Sequence, residues 1–185
     1  LVGSEMCIRD RSWLDGLAPE NERPIYSSVD IRHSGFKCAG IDTNLFPGGF
    51  NNLCTYSAEQ ASKEFKKAIL SKHPEAKHVL IVCEEHTRNT WYLENVYTLT
   101  DIAELAGFKT TVATFMNAGF EHVDAYIDVE TALNHQLRIY RLRPIIDAIQ
   151  KKESNIDCIL LNNDLTDGIP SELMESDISS SLFRS

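Results

Sequence analysis

No apolar run in this 185-residue sequence approaches the ~20 residues that a helix needs to span a bilayer, and the first residues lack the apolar core of a secretory signal. Cysteine is sparse and dispersed. The five (Cys7, Cys38, Cys54, Cys83 and Cys158) form no C-x-x-C pair and join no histidine at zinc-ligand spacing, which argues for reduced thiols rather than a disulfide framework or a zinc module. Positive charge is in deficit, with 18 Lys and Arg against 27 Asp and Glu and a net charge of −9. That balance opposes general attraction to nucleic acid or to an anionic membrane surface. The signatures GxxxxGK[ST], GxGxxG, GxSxG and HExxH are all missing. So are internal repeats and low-complexity segments. What remains, 43% hydrophobic and 24% charged, is the composition of an ordinary soluble globular domain, expected in the cytoplasm.

Along the chain, residues 1–12 (LVGSEMCIRDRS) show no periodicity and read as a non-native leader of the kind left by sequencing or assembly. Residues 13–24 read as a polar lead-in. Residues 25–175 carry the α/β pattern, and 176–185 read as a truncated tail that stops without a helix cap or a closing strand. Ile25–Ile31 is a short β-like run. Dense turn chemistry follows to Leu53, punctuated by Gly35, Gly40, Pro47, Gly48 and Gly49. A helix is expected next, with Ser57 and Gln60 as a capping box and Ala61, Phe65, Ala68 and Ile69 on one face.

His78–Cys83 (HVLIVC) is a continuous apolar, β-branched run, the pattern of a strand buried on both faces. Tyr92, Val96, Leu99, Ala103 and Ala106 then repeat at steps of four and three, and Gly107 suits a C-terminal cap. Lys109–Phe115 completes a β-α-β unit, so the sheet should be parallel. Val123–Val129 and His135–Leu142 alternate as two strands of a hairpin around 131–134. Pro144 suits the first position of a helix through Ile149. Ile156–Leu161 reads as another buried strand, and Ser171–Met174 as a helical turn. Cys83 and Cys158, inside apolar runs, read as small buried hydrophobes.

In an open α/β sheet, ligands collect outside the carboxyl ends of the strands. Two polar clusters fall there, Glu84–Asn89 and Asn162-Asn163-Asp164. Adjacent amides at a strand end suit hydrogen bonding to a ligand. The alternative is plain capping, by Thr87 or Asn89 for the helix and by Asn163 or Asp164 for a turn. The segment 25–53 is richer still. Asp30, Arg32, Lys37, Asp42, Asn44, Asn51 and Asn52 are interleaved there with Phe36, Phe46 and Phe50, expected to anchor the loop by burial. Arg and Lys supply donors for carboxylate or phosphate, although an Asp–Arg pair can also serve only to hold a loop. The six histidines show no ligand spacing and read as surface or strand-edge groups. Glu84 and Glu85 are a single acidic pair, weak grounds for magnesium.

These same residues carry a resemblance. Tyr26-Ser-Ser-Val-Asp30-Ile-Arg32, Gly35-Phe36-Lys37, Asp42-Thr-Asn-Leu-Phe-Pro47 and Gly49-Phe50-Asn51-Asn52-Leu53 together resemble the N-terminal signature of a proteobacterial family of glutamate–cysteine ligases. Leu160-Leu161-Asn162-Asn163-Asp164-Leu165, with Gly168 and Pro170, is similar to a second block of that family, in the expected order. The resemblance spans residues 23–175. It implies a Rossmann-like, mostly parallel sheet flanked by helices, like the part that precedes the nucleotide-binding domain of ATP-grasp-like ligases. It also implies ATP-dependent joining of the L-glutamate side-chain carboxyl to L-cysteine through an acyl phosphate, the first step of glutathione synthesis, with Mg2+ as cofactor. On these matched positions, side-chain chemistry makes Arg32, Lys37 and Arg88 candidates for gripping a substrate carboxylate or phosphate. Asp30 and Asp42 suit a substrate ammonium, Asn44, Asn51, Asn52, Asn162 and Asn163 suit orientation, and Asp164 is a further substrate-binding candidate. Members of the family are much longer than this chain, so the nucleotide and metal ligands are expected outside it. Its partners are then small molecules, not nucleic acid or membrane. The alternatives are another carboxylate–amine ligase and a non-catalytic α/β binding module.

Overall fold

Two sheets of unequal size and opposite exposure divide the chain. The structure is a computed structural model that describes residues 16, 24–44, 48–84, 88–115, 125–163, 173 and 182–184. Strands β1 (Ser28–His33) and β2 (Cys38–Asn44) form an antiparallel hairpin of their own. A single 3-10 turn at Phe50–Asn52 leads into α1 (Thr55–Lys72) and β3 (His78–Cys83). Then come α2 (Thr90–Leu105), β4 (Lys109–Thr114), β5 (Tyr126–Glu130) and β6 (Gln136–Arg141). Helix α3 (Leu142–Gln150), β7 (Cys158–Asn162) and β8 (Leu182–Arg184) follow. The larger sheet has the order β5-β6-β4-β3-β7-β8. Its pairs are parallel except β5 against β6.

The period of two in the central strands distributes the core between two layers. Val79, Ile81 and Cys83 of β3 pack with Val112, Leu137, Ile139 and Leu160 against Phe65 and Ile69 of α1 and Val96, Leu99 and Ala103 of α2. Leu80 and Val82 face the other way, with Ile159 and Leu161, against Leu142 and Ile146 of α3. The helices lie on opposite faces because the chain runs from β3 through α2 to β4 on one side, then from β6 through α3 back to β7 on the other. Right-handed crossovers in opposite directions must pack on opposite faces. The reversal makes the carboxyl ends of β3 and β7 a topological switch point.

Local chemistry holds the ends. Asn89 caps α2, its side chain accepting from the Tyr92 amide at 3.1 Å. Gly107 takes φ +94° just past the helix, a conformation costly for any residue with a Cβ. The Asp157 carboxylate accepts from the amides of Lys77 (2.7 Å) and His78 (2.8 Å), fixing the start of β3 beside β7. Buried Glu94 accepts from the Leu133 amide at 3.3 Å and pairs with His135 Nδ1 at 3.0 Å, clamping the β5–β6 turn to α2.

Several expectations need correction. The 25–53 segment is not mainly loop: the β-like run begins three residues late, at Ser28, and pairs with β2. Phe36 does not anchor anything by burial, being 83% exposed in the hairpin turn. Helix α1 starts at Thr55 with Cys54 as its cap, so Ser57 and Gln60 lie inside the helix and form no capping box. Pro144 is the third residue of α3, since β6 runs straight into the helix at Leu142. The last buried strand is Cys158–Asn162, which takes in the first Asn of the pair. The tail does hold a strand, β8, parallel to β7. Residues 1–12, and all of Ser171–Met174 but the buried Leu173, lie outside the described residues. Among the described residues no helix is long and apolar enough to cross a membrane.

Candidate functional site

Register lines up one polar row at the carboxyl edge. Cys83, the last residue of β3, is paired with Thr114 of β4 on one side and Asn162 of β7 on the other, and Thr114 is paired in turn with Arg141 of β6. Partners in a parallel ladder project to the same face, so Arg141, Thr114, Cys83 and Asn162 stand together on the α1/α2 side. One pleat below them, the Ile139, Val112, Ile81 and Leu160 row is apolar. The core layer therefore ends in a polar lid at the switch point.

Three tethers bring other segments onto this row. Asn162 Nδ2 donates to Tyr26 Oη at 2.9 Å, joining the end of β7 to the stretch before β1. The Tyr26 ring meets Phe50 edge to face at 5.1 Å. The Phe50 amide donates to Asn95 Oδ1 of α2 at 2.9 Å. Beside them the Glu84 amide donates to Tyr92 Oη at 2.7 Å. Burial pushes the Tyr92 hydroxyl far above the ordinary phenol range, so it stays protonated. Burial likewise pushes the Cys83 thiol up to about 12, which makes it a packing group and not a nucleophile.

Several buried polar atoms here lack a partner. Asn163 Oδ1, Thr114 Oγ1 and Asn95 Nδ2 have no hydrogen-bond partner among the described residues, although the three residues are at most 4% exposed. An unsatisfied buried polar group costs roughly 1–3 kcal/mol, and such groups cluster where a ligand completes the set. Two acceptor-capable oxygens and one amide donor on this edge suit a small polar molecule carrying ammonium and carboxylate or amide groups.

The candidates from sequence divide between two places. Asn162 and Asn163 belong to the buried edge. Asn51 and Asn52 lie in the 3-10 turn whose first residue, Phe50, is tethered there. Asp30, Arg32, Asp42 and Asn44 share one face of the hairpin, where Asp30 is directly opposite Asp42. All four are exposed, as is Lys37 in the turn. Arg88 is exposed just ahead of the α2 cap. Asp164 lies outside the described residues. Sequence reasoning passed over Thr114, Arg141, Tyr92 and Asn95. For Thr114 and Arg141 the only signal was a polar residue at the end of a strand run, which gains meaning only when strand neighbours are known; Tyr92 and Asn95, inside α2, gave none. The described residues do not fit a metal site: no three Asp, Glu, His or Cys side chains converge among them.

The family described as glutamate-cysteine ligase matches residues 6–182. The chain belongs to that family. A solved structure from Methylobacillus flagellatus KT, provisionally designated a gamma-glutamylcysteine synthetase, is 32% identical, with a TM-score of 0.74. The similarity covers 97% of this chain and 41% of that one. The chain thus spans well under half the length of that solved relative. No curated protein matches it. The α/β architecture and the family drawn from the Tyr26–Leu53 and Leu160–Leu165 blocks agree with these findings.

Proposed function

We propose that this chain supplies the substrate-orienting α/β part of an enzyme that joins the L-glutamate side-chain carboxyl to the amine of L-cysteine at the expense of ATP. The observation that carries this reading is the buried polar edge at the switch point, with Asn163 Oδ1, Thr114 Oγ1 and Asn95 Nδ2 unpaired among the described residues, in a chain of this ligase family. Making an amide from a carboxylate requires a better leaving group than oxide, and an acyl phosphate formed from ATP provides one. The amine then attacks the acyl carbon, so two amino acids must be held in near-attack geometry. Amides and hydroxyls fixed in a buried row do this without reorganising during reaction. Asn162, oriented by Tyr26, and Asn163 are assigned to positioning a substrate's polar groups. The exposed hairpin, with Arg32 and Lys37, is assigned to gripping carboxylate or phosphate once that face is covered. Nucleotide and magnesium ligands belong, in this reading, to residues beyond those described here.

The test is ADP release by the full-length enzyme with glutamate and cysteine together and with each omitted. Release that needs both, with a γ-linked dipeptide product, supports the reading. Asn162→Ala should then lower kcat/KM by roughly ten- to a hundredfold, while Asn162→Asp or →Gln separates geometry from hydrogen-bonding capacity. Turnover with a different amine in place of cysteine would assign the chain to another carboxylate–amine ligation, and a folded enzyme without ADP release would overturn catalysis altogether.

A further inference from the structure

Strand β1 has one edge that no strand among the described residues covers. Its other edge pairs with β2, and these two strands make a sheet of their own. A two-stranded hairpin is marginal in water until further strands extend it. An open row of backbone N–H and C=O groups invites such an extension unless lysine, proline or a bulge blunts it. Strand β1 (SVDIRH) carries none of these. The irregularity of the hairpin falls on β2, where Ile41 is the extra residue between the Asp30–Asp42 and Ile31–Gly40 partners. The regular edge is that of β1.

Charge on the hairpin is unbalanced across its strands. Asp30 stands directly opposite Asp42, a like-charge pair that costs stability. Arg32, two residues along β1 on the same face, is opposite Ala39. None of these three charged side chains has an ion pair or hydrogen bond among the described residues. On the other face Val29 and Ile31 are 49% and 64% exposed. The sequence around Ile31 is self-complementary for an antiparallel partner. Turned end for end, Val-Asp-Ile-Arg-His sets Asp30 opposite Arg32, Ile31 opposite Ile31 and Val29 opposite His33. Centring the pair on either neighbour sets Asp30 against Asp30 or Arg32 against Arg32, which repulsion disfavours. We propose that this chain self-associates as a two-fold dimer through antiparallel β1–β1 pairing centred on Ile31, giving a four-stranded sheet of order β2-β1-β1-β2. Each Asp30 then meets the partner's Arg32, so both Asp30–Asp42 rows gain a cation. The two Ile31 side chains pack across the axis. Such a contact is isologous and closes at two copies, and the bulged β2 edges do not extend it. The pairing is independent of the ligase reading: it uses an edge, leaves both faces of the hairpin open, and leaves Arg32 further N–H donors for an anion.

Analytical sedimentation of the 185-residue chain between about 5 and about 500 μM tests it. The contact is small, so a dissociation constant on the order of 100 μM is expected, with monomer prevailing at the lowest concentration. Arg32→Asp sets carboxylate against carboxylate, and Asp30→Arg sets guanidinium against guanidinium. Each should weaken dimerisation by roughly tenfold or more. Mixing the two variants should restore a dimer, now between unlike chains, because an acidic pair then faces a basic pair. The double exchange, Asp30→Arg with Arg32→Asp, should restore self-association as well. Rescue in the mixture also shows that neither variant has lost its fold. Monomer throughout the concentration range overturns the proposal. So does a dimer that both single variants leave intact, or one that they abolish and that neither the mixture nor the double exchange restores.

Discussion

Asp30, Arg32, Asp42 and Asn44 stand on one exposed face of the β1–β2 hairpin, whereas Asn162 and Asn163, read from the same sequence as the same kind of group, are almost fully buried at the end of β7. Around the hairpin, Val29, Ile31 and Ile41 are all about half exposed or more. Around the β7 end, every strand residue is buried. A two-stranded hairpin without a packed face is marginal by itself, so its polar groups are not held in position by a core. Those at the sheet edge are. The contrast teaches that a continuous motif block does not imply a continuous site: preorganisation resides at the switch point, and the hairpin offers chemistry that something else must fix.

Five measurements sharpen or break this contrast. The largest effect is in thiol reactivity. Cys38 in β2 is exposed, as is Cys54, whose thiol is lowered by its hydrogen bonds with Ser57. Burial pushes Cys83 and Cys158 up to about 12, leaving roughly a thousandfold less thiolate at neutral pH than an ordinary thiol. Mass spectrometry after brief alkylation should find Cys38 and Cys54 modified and the sheet cysteines untouched; labelling of Cys83 in the native state would refute the packed edge. Next, Leu160→Ala in β7, where the side chain is fully buried, should cost about 3 kcal/mol in urea unfolding.

Asp157→Ala removes the acceptor of two backbone amides and should cost about 2 kcal/mol, read the same way. Smaller is a pH effect at His78, which bonds Thr111 Oγ1 at 2.8 Å and whose pKa is lowered, first by burial and then by Lys109. The unfolded chain therefore binds this proton more readily than the folded one. Stability from this group is fully present above the unfolded value of about 6.5 and falls as pH drops through the lowered folded value. His78→Gln should flatten that part of the stability profile; an unchanged slope would assign it to another group. Smallest is Ile31→Ser in the hairpin, which should change stability by less than about 0.5 kcal/mol. A loss comparable to Leu160→Ala would show that the hairpin is anchored to the body after all.

Much of the architecture could be read along the chain. HVLIVC at 78–83 could be a strand buried on both faces from its unbroken apolar run alone, and it is. Asn89 and Gly107 bracket α2 as their cap chemistry predicts. The misreadings fall where local chemistry is ambiguous. Glycines at 35 and 40 suggested loop, but Gly35 serves a tight turn at φ +95° and Gly40 gives room to Val29 Cγ1, 3.1 Å from where a Cβ would stand. Ser57 and Gln60 had cap spacing, yet the helix nucleated one turn earlier. The double Asn stood out as a candidate because amides at a strand end are unusual in so apolar a context, and both side chains are buried there. Thr114, Asn95 and Tyr92 were not, since each looks like an ordinary residue within its own element.

The division has one physical cause. Periodicity, capping and turn preferences are local, so the sequence by itself determined the buried strands, the amphipathic helices, the parallel β-α-β unit and, through its motif blocks, the family. Which strands become neighbours, and in what register, depends on packing between residues far apart in the chain. Only the tertiary structure could therefore place Thr114, Cys83 and Asn162 side by side, send α2 and α3 to opposite faces, and separate the exposed hairpin from the buried edge.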